Sequence, residues 1–247
     1  MMGRGGDKAP RQDMFPTKVV EWQTEERVGS PPIGTGSAFD VIGHPVAQHL
    51  RMLGALREAH PALSTGASIV RLAQQGVLAV SRIDRDARSE YLAVFNAGDE
   101  AARLTVQTAT PSATWEALLG GVGATSAANG RMTLTVPPVT AVLLRAASDL
   151  PKRGAAKATL RVKPDEISSL LRISAAVTTL DPLVVTFAVR REGAARWQRL
   201  GVDDSAPYAV YVDPRRYRKG KRISLVAVVL ASDGSVSTSS VTAVAPR

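Results

Sequence analysis

The sequence has no cysteine, few aromatic residues and no long apolar run. Without cysteine there is neither a disulfide framework nor a thiolate nucleophile. Aromatic residues make up only 4% of the 247 residues, although the hydrophobic content of 45% is ordinary. No apolar run approaches the ~18 residues that a membrane-spanning helix needs. The first eight residues lack the apolar core of a signal peptide. We therefore expect no membrane span. The sequence does not determine the cellular compartment.

The net charge of +9 is distributed unevenly along the chain. Residues 1–150 carry 14 Lys and Arg against 14 Asp and Glu, whereas residues 151–247 carry 17 against 8. A charge asymmetry of this kind indicates a separate module in the more charged part. The sequence therefore predicts a basic domain after residue 150.

The apolar pattern predicts one amphipathic helix near residues 44–60. Four residues spaced by three or four positions form a single apolar stripe: Val46, Leu50, Leu53 and Leu56. Pro45 fits the first turn of a helix, and Pro61 ends it. The preceding stretch is polar and rich in Gly and Pro. We therefore expect the stripe to dock on another domain, to self-associate or to fray.

From residue 67 onward, apolar residues alternate with period two, which is typical of β-strands. Two sets of seven strands are predicted, at 68–73, 77–83, 90–96, 103–108, 114–119, 132–136 and 141–145, then at 158–162, 171–178, 183–191, 196–200, 208–213, 222–231 and 235–244. This density of short strands predicts a mainly β protein with two antiparallel sandwiches, the second of them Ig-like or fibronectin-III-like.

Several stretches resemble the C-terminal part of a bacterial enzyme of the alpha-amylase superfamily (glycoside hydrolase family 13). Residues 5–15 resemble a loop that borders the substrate cleft, and residues 56–63 (Leu-Arg-Glu-Ala-His-Pro-Ala-Leu) resemble the final barrel helix. Residues 79–82 and 92–96 resemble strands of the β-sandwich called domain C. Residues 197–208 resemble an appended Ig-like module.

The resemblance implies a division into four parts. Residues 1–65 correspond to the end of a (β/α)₈ barrel, residues 66–147 to domain C, residues 148–154 to a linker and residues 155–247 to the basic Ig-like sandwich.

The family's catalysis uses two aspartates and a glutamate at strand ends of the barrel. A whole barrel needs about 250 residues, so residues 1–63 cannot hold one. We expect no catalytic residue, no cofactor and no activity from the chain alone, as in a truncated, non-catalytic portion of an enzyme of alpha-glucan metabolism. The alternative is a stand-alone module that binds carbohydrate or a polyanion.

Candidate sugar contacts come from the resemblance and from the aromatic residues. Asp7 and Arg11 match polar positions of the cleft-edge loop, although a solvated terminus is the simpler explanation. Trp115, Trp197 and Tyr208 are candidate stacking platforms, with packing inside the sandwiches as the alternative interpretation. The partner implied is an alpha-glucan, or a barrel-bearing chain that binds the helix at residues 44–60.

The densest basic cluster lies at residues 214–222 and is a second candidate site. Its cations are Arg215, Arg216, Arg218, Lys219, Lys221 and Arg222. Such a cluster could bind a polyanion, with Tyr217 available to stack. Because it falls between two predicted strands, a solvated loop is the simpler explanation, and nucleic acid is not the favoured partner.

The spacing of the histidines and acids does not predict a metal site. His44 and His60 stand at opposite ends of the predicted helix, and no Cys or carboxylate pair converges with them. Asp84 and Asp86 lack the further ligands of a calcium loop. We therefore interpret these residues as packing, capping or turn residues.

Overall fold

The computed structural model describes residues 18–20, 23, 43, 45–154, 156–179 and 181–244. Two compact units are distinguished, residues 1–58 and residues 59–247. Asp7, Arg11 and His44 lie outside the described residues. No helix among the described residues is long and apolar enough to span a membrane.

The predicted helix is present as α1 (Pro45–Ala59). None of its residues is buried. Val46 and Leu50 of the apolar stripe are 60% and 62% exposed, whereas Leu53 and Leu56 are half-buried. Docking or self-association through this stripe stays a prediction.

The first sandwich follows a short helix, α2 (Ala62–Thr65), and consists of eight strands. They are β1 (Ala67–Gln74), β2 (Val77–Asp84), β3 (Ser89–Asn96), β4 (Ala102–Gln107), β5 (Thr114–Leu119), β6 (Ala124–Thr125), β7 (Arg131–Val136) and β8 (Thr140–Ala146). Six form one sheet in the order β1-β2-β3-β8-β5-β6, and β4 pairs with β7. All pairings are antiparallel.

The second sandwich has seven strands and one 3₁₀ turn (Pro214–Arg216). The strands are β9 (Thr159–Pro164), β10 (Leu171–Ala176), β11 (Val184–Arg191), β12 (Gln198–Asp203), β13 (Ala209–Val212), β14 (Arg222–Leu230) and β15 (Val236–Val244). They form a three-stranded sheet, β13-β10-β9, and a four-stranded sheet, β12-β11-β14-β15. The predicted mainly β, antiparallel fold is confirmed, and the described strands form no closed barrel.

Alternation along the strands places one face of each sheet in a core, because successive side chains point to opposite faces. In β11 and β14, buried and partly exposed residues alternate without a break from Val184 to Val189 and from Ile223 to Val229. Phe187 and Leu225 lie in the resulting core of the second sandwich. In the first sandwich, Leu92 and Leu144 are buried in the same way.

The stretch predicted as a linker is held by the first sandwich. Leu150 is buried, and its N–H donates to the carbonyl oxygen of Arg88 at 2.8 Å. The Arg88 guanidinium donates back to the Leu150 carbonyl and pairs with Asp149 at 3.3 Å. These hydrogen bonds and the ion pair fix the chain where it leaves β8.

Polar contacts also join the two sandwiches directly. The Ser68 N–H donates to the Ser205 hydroxyl at 3.0 Å. The Arg85 guanidinium donates to the carbonyl oxygens of Leu230 and Ala231 at 3.4 and 3.5 Å. These contacts connect β1 and the β2–β3 turn of the first sandwich to the β12–β13 loop and the end of β14.

Candidate functional site

Two of the predicted stacking residues lie inside the sandwiches. Trp115 is buried in the core of the first sandwich, where its indole N–H donates to the Ser126 hydroxyl at 3.3 Å. Tyr208 is buried in the second sandwich, and its hydroxyl accepts the Leu183 N–H at 3.3 Å. Burial raises the pKa of Tyr208. Because neither ring has a free face, these two residues do not provide a sugar platform.

Trp197 is different, because 42% of its surface is exposed. It directly precedes β12, and the guanidinium carbon of Arg190 lies 4.8 Å from its ring centroid. That distance is within the range of a cation–π contact. The arginine fixes the orientation of the indole and leaves part of the ring open to solvent.

The second sandwich has a second exposed aromatic residue, Tyr211. Tyr211 on β13 is 53% exposed and lines a groove of about 280 Å³ together with Gln198, the neighbour of Trp197. Tyr211 pairs across the sheet with Arg172. Trp197 and Tyr211 are therefore two exposed aromatic rings of the second sandwich on which a sugar could stack.

The predicted basic cluster is only partly available to a ligand. Arg215 binds the carboxylate of Asp213, with nitrogen–oxygen distances of 2.9 to 3.2 Å. Hydrogen bonds from the side chain and backbone of Arg215 lower the pKa of Asp213, and the same pairing raises the pKa of Arg215. Arg215 therefore serves the 3₁₀ turn, since the Asp213 carboxylate also caps it by accepting the Arg215 N–H.

Arg216, Arg218, Lys221 and Arg222 of the cluster border a cavity of about 620 Å³, whereas the exposed Lys219 does not line it. Its charged lining consists of Arg191, Glu192, Arg216, Arg218, Lys221 and Arg222. Tyr217 lies beneath the guanidinium of Arg191, with 5.7 Å between the guanidinium carbon and the ring centroid. Because Tyr217 is buried, the expectation that it could stack on a ligand is wrong. We refer to this cavity as the basic groove.

His60 and Asp84, which the sequence spacing excluded from a metal site, have structural contacts. His60 Nδ1 lies 3.2 Å from the Tyr91 hydroxyl. Asp84 Oδ1 accepts the N–H groups of Asp86 and Ala87 within a turn. Within the described ranges, no group of three or more His, Cys, Asp or Glu side chains could hold a metal ion.

A buried charge network in the first sandwich was missed by the sequence interpretation. Glu90 on β3 accepts hydrogen bonds from Arg71 at 2.9 Å and Ser81 at 2.6 Å, and the Arg71 and Glu90 side chains are fully buried. Its second oxygen accepts three bonds from the backbone of Ala109 and from Thr110. Glu90 lies two and four residues before the buried Leu92 and Val94, on the same face of β3. This alternation in the sequence could have predicted that Glu90 is buried.

Most of the chain is similar to part of an alpha-amylase. The relative is an alpha-amylase of Streptomyces lividans, which is 31% identical to this chain over 212 residues. The match covers 84% of this chain and 23% of the relative, so the chain spans about a quarter of that protein's length. The resemblance inferred from the sequence motifs is confirmed. No family model matches the chain.

Solved structures that are similar to parts of the chain include two alpha-amylases and a CGTase. An Anoxybacillus alpha-amylase is 17% identical, with a TM-score of 0.40, over 49% of this chain and 26% of its own. An alpha-amylase from Geobacillus thermoleovorans, complexed with acarbose, is 16% identical, with a TM-score of 0.41, over 51% and 28%. The gamma-CGTase of an alkalophilic Bacillus clarkii is 12% identical, with a TM-score of 0.39, over 91% and 46%.

Proposed function

We propose that the two sandwiches are non-catalytic β-domains of an alpha-amylase-type glycoside hydrolase of alpha-glucan metabolism. The observation that carries this proposal is the 31% identity to an alpha-amylase over 84% of the chain. Three carboxylates of the described part support the non-catalytic role, because each of them stabilises the local structure. Glu90 binds Arg71, Asp213 binds Arg215, and Asp203 accepts the backbone N–H groups of Ser205 and Ala209.

In this proposal the second sandwich holds an alpha-glucan chain against its exposed aromatic rings. Trp197 is oriented by Arg190, and Tyr211 lines the adjacent groove of about 280 Å³. The apolar face of a sugar ring packs on such rings, while its hydroxyl groups stay in water. The first sandwich and its buried network then serve as the rigid support.

Affinity electrophoresis in gels that contain glycogen tests this proposal. We expect the purified chain to be retarded and the Trp197→Ala variant to migrate measurably faster, because one platform is lost. Phe95→Ala is the matched control, since Phe95 is 47% exposed on the first sandwich and should not affect retardation. Unretarded migration of the unmodified chain would contradict glucan binding. Release of reducing sugar from starch by the chain alone would contradict the non-catalytic role.

A further inference from the structure

The basic groove concentrates positive charge that is not neutralised by the protein. Five cationic side chains line it, against the single carboxylate of Glu192. That carboxylate lies 3.7 Å from the Lys221 ammonium. Within the described part of the chain, Arg216, Arg218 and Arg222 form no ion pair, and all three are exposed. A cavity with this lining attracts anions.

The walls of the groove are held in place before any ligand arrives. Arg191 donates to the carbonyl oxygen of Arg216 at 3.2 Å and covers the Tyr217 ring. The Lys221 N–H donates to the Arg218 carbonyl at 3.0 Å, and the Glu192 N–H donates to the Arg222 carbonyl at 3.1 Å. These bonds join the β11–β12 turn to the loop before β14. A preorganised site loses less conformational entropy on binding than a mobile loop.

We infer that the basic groove binds an anionic polysaccharide through its arginine guanidinium groups. Four of its five cations are arginines, and a guanidinium forms paired hydrogen bonds with a planar carboxylate or an oxyanion. Its volume of about 620 Å³ lies in the range of small-ligand pockets, which suits a few sugar units. The basic groove shares Arg191, Arg216 and Tyr217 with the smaller groove lined by Tyr211, whereas Trp197 lines neither groove.

Single-stranded nucleic acid fits the groove less well. Such ligands are bound by stacking their bases on exposed aromatic rings beside a basic track. Tyr217 is the aromatic residue that lines the groove, and it is buried beneath Arg191. The groove therefore offers charge without a stacking platform.

Binding of the full chain to heparin, polygalacturonate, glycogen and a single-stranded oligothymidylate tests the inference. We expect heparin or polygalacturonate to bind with an affinity that falls steeply with salt, and the oligothymidylate to bind at least tenfold more weakly. The triple variant Arg216→Gln, Arg218→Gln, Arg222→Gln should lose about tenfold to a hundredfold in affinity. The single variant Arg218→Gln, which removes one exposed guanidinium, should show a smaller loss in the same direction.

The matched control is Arg103→Gln, Arg161→Gln, Lys163→Gln, which removes the same charge from exposed strand positions outside the groove. It should bind both polysaccharides like the unmodified chain. Equal losses in the two triple variants would overturn the inference, because they would show a response to net charge alone. Equal or tighter binding of the oligothymidylate, or no binding of either anionic polysaccharide, would also overturn it. Trp197 does not line the basic groove, so the loss of glycogen retardation in Trp197→Ala reports on the aromatic surface alone, and the two proposals can fail independently.

Discussion

The two sandwiches have similar strand counts but deal with polar groups in opposite ways. The first sandwich buries six polar residues, namely Ser81, Glu90, Asn96, Thr108, Thr110 and Ser126. The described residues of the second sandwich include none in that class, and its core cluster is formed by aliphatic residues and rings. The described residues of the basic module therefore include no buried charged residue, whereas the first sandwich holds a charge pair inside. In the proposed function, the first sandwich is the support and the second carries the charged binding surface.

The largest expected effect comes from breaking the buried network of the first sandwich. Glu90→Ala should lower the free energy of unfolding by about 3–5 kcal/mol, because the Arg71 guanidinium would stay buried without this carboxylate. Urea unfolding followed by circular dichroism measures the change. Glu100→Ala is the control, since Glu100 is exposed on the same domain. A loss below about 1 kcal/mol, in the range of ordinary surface substitutions, would contradict a structural role for the network.

A smaller loss is expected from the apolar core of the second sandwich. Leu225→Ala should cost about 2–5 kcal/mol, because it leaves a cavity in a packed core. Hydrogen exchange resolved by peptide should show the loss of protection in residues 184–230. Leu230→Ala is the matched control, because Leu230 lies on the same strand with 39% of its surface exposed. If both variants lost protection equally, the assignment of this face to the core would be wrong.

The smallest effect concerns surface electrostatics at the 3₁₀ turn. Asp213 has a lowered pKa because Arg215 donates to its carboxylate, so Arg215→Gln should raise this pKa toward its ordinary value. The folded-state pKa lies below the unfolded one. The pair therefore stabilises the fold above the unfolded pKa, and this contribution is lost as the pH falls through the folded pKa.

A carboxyl chemical-shift titration by NMR measures the change at Asp213. Asp233 is an internal control in the same spectra, because its pKa is lowered by hydrogen bonds from Ser235 and should not respond to Arg215→Gln. An unchanged Asp213 titration in the variant would refute the assigned cause.

Strand positions could be predicted because local patterns determine them. The hairpin of β1 and β2 follows from alternation on both sides of Gly76, whose φ of +74° suits glycine. The two-residue strand β6 and the four-residue helix α2 were missed, because elements so short carry no periodic signal.

The candidate sites depended more on tertiary structure than on pattern. Trp115 and Trp197 both stand in or next to strand patterns, yet one is buried and the other exposed. The basic groove combines Arg191 of β11 with the loop before β14. These two segments are far apart in the sequence, so local sequence patterns could not predict that they lie together. The burial of Glu90 could have been predicted because it alternates in register with the buried residues of β3. Its bond to Arg71 could not have been predicted from the sequence.

The hydrogen bonds between Leu150 and Arg88 limit how far the second sandwich can move from the first. In a flexible linker of seven residues, the root-mean-square distance between the two ends would be roughly 15 Å. The burial of Leu150 and the bonds from Ser68 and Arg85 remove that freedom when the protein folds. A polymer segment bound to the second sandwich would therefore lie at a fixed distance from the first sandwich. Its effective concentration there would be set by the fold, and binding would not have to restrain a flexible linker.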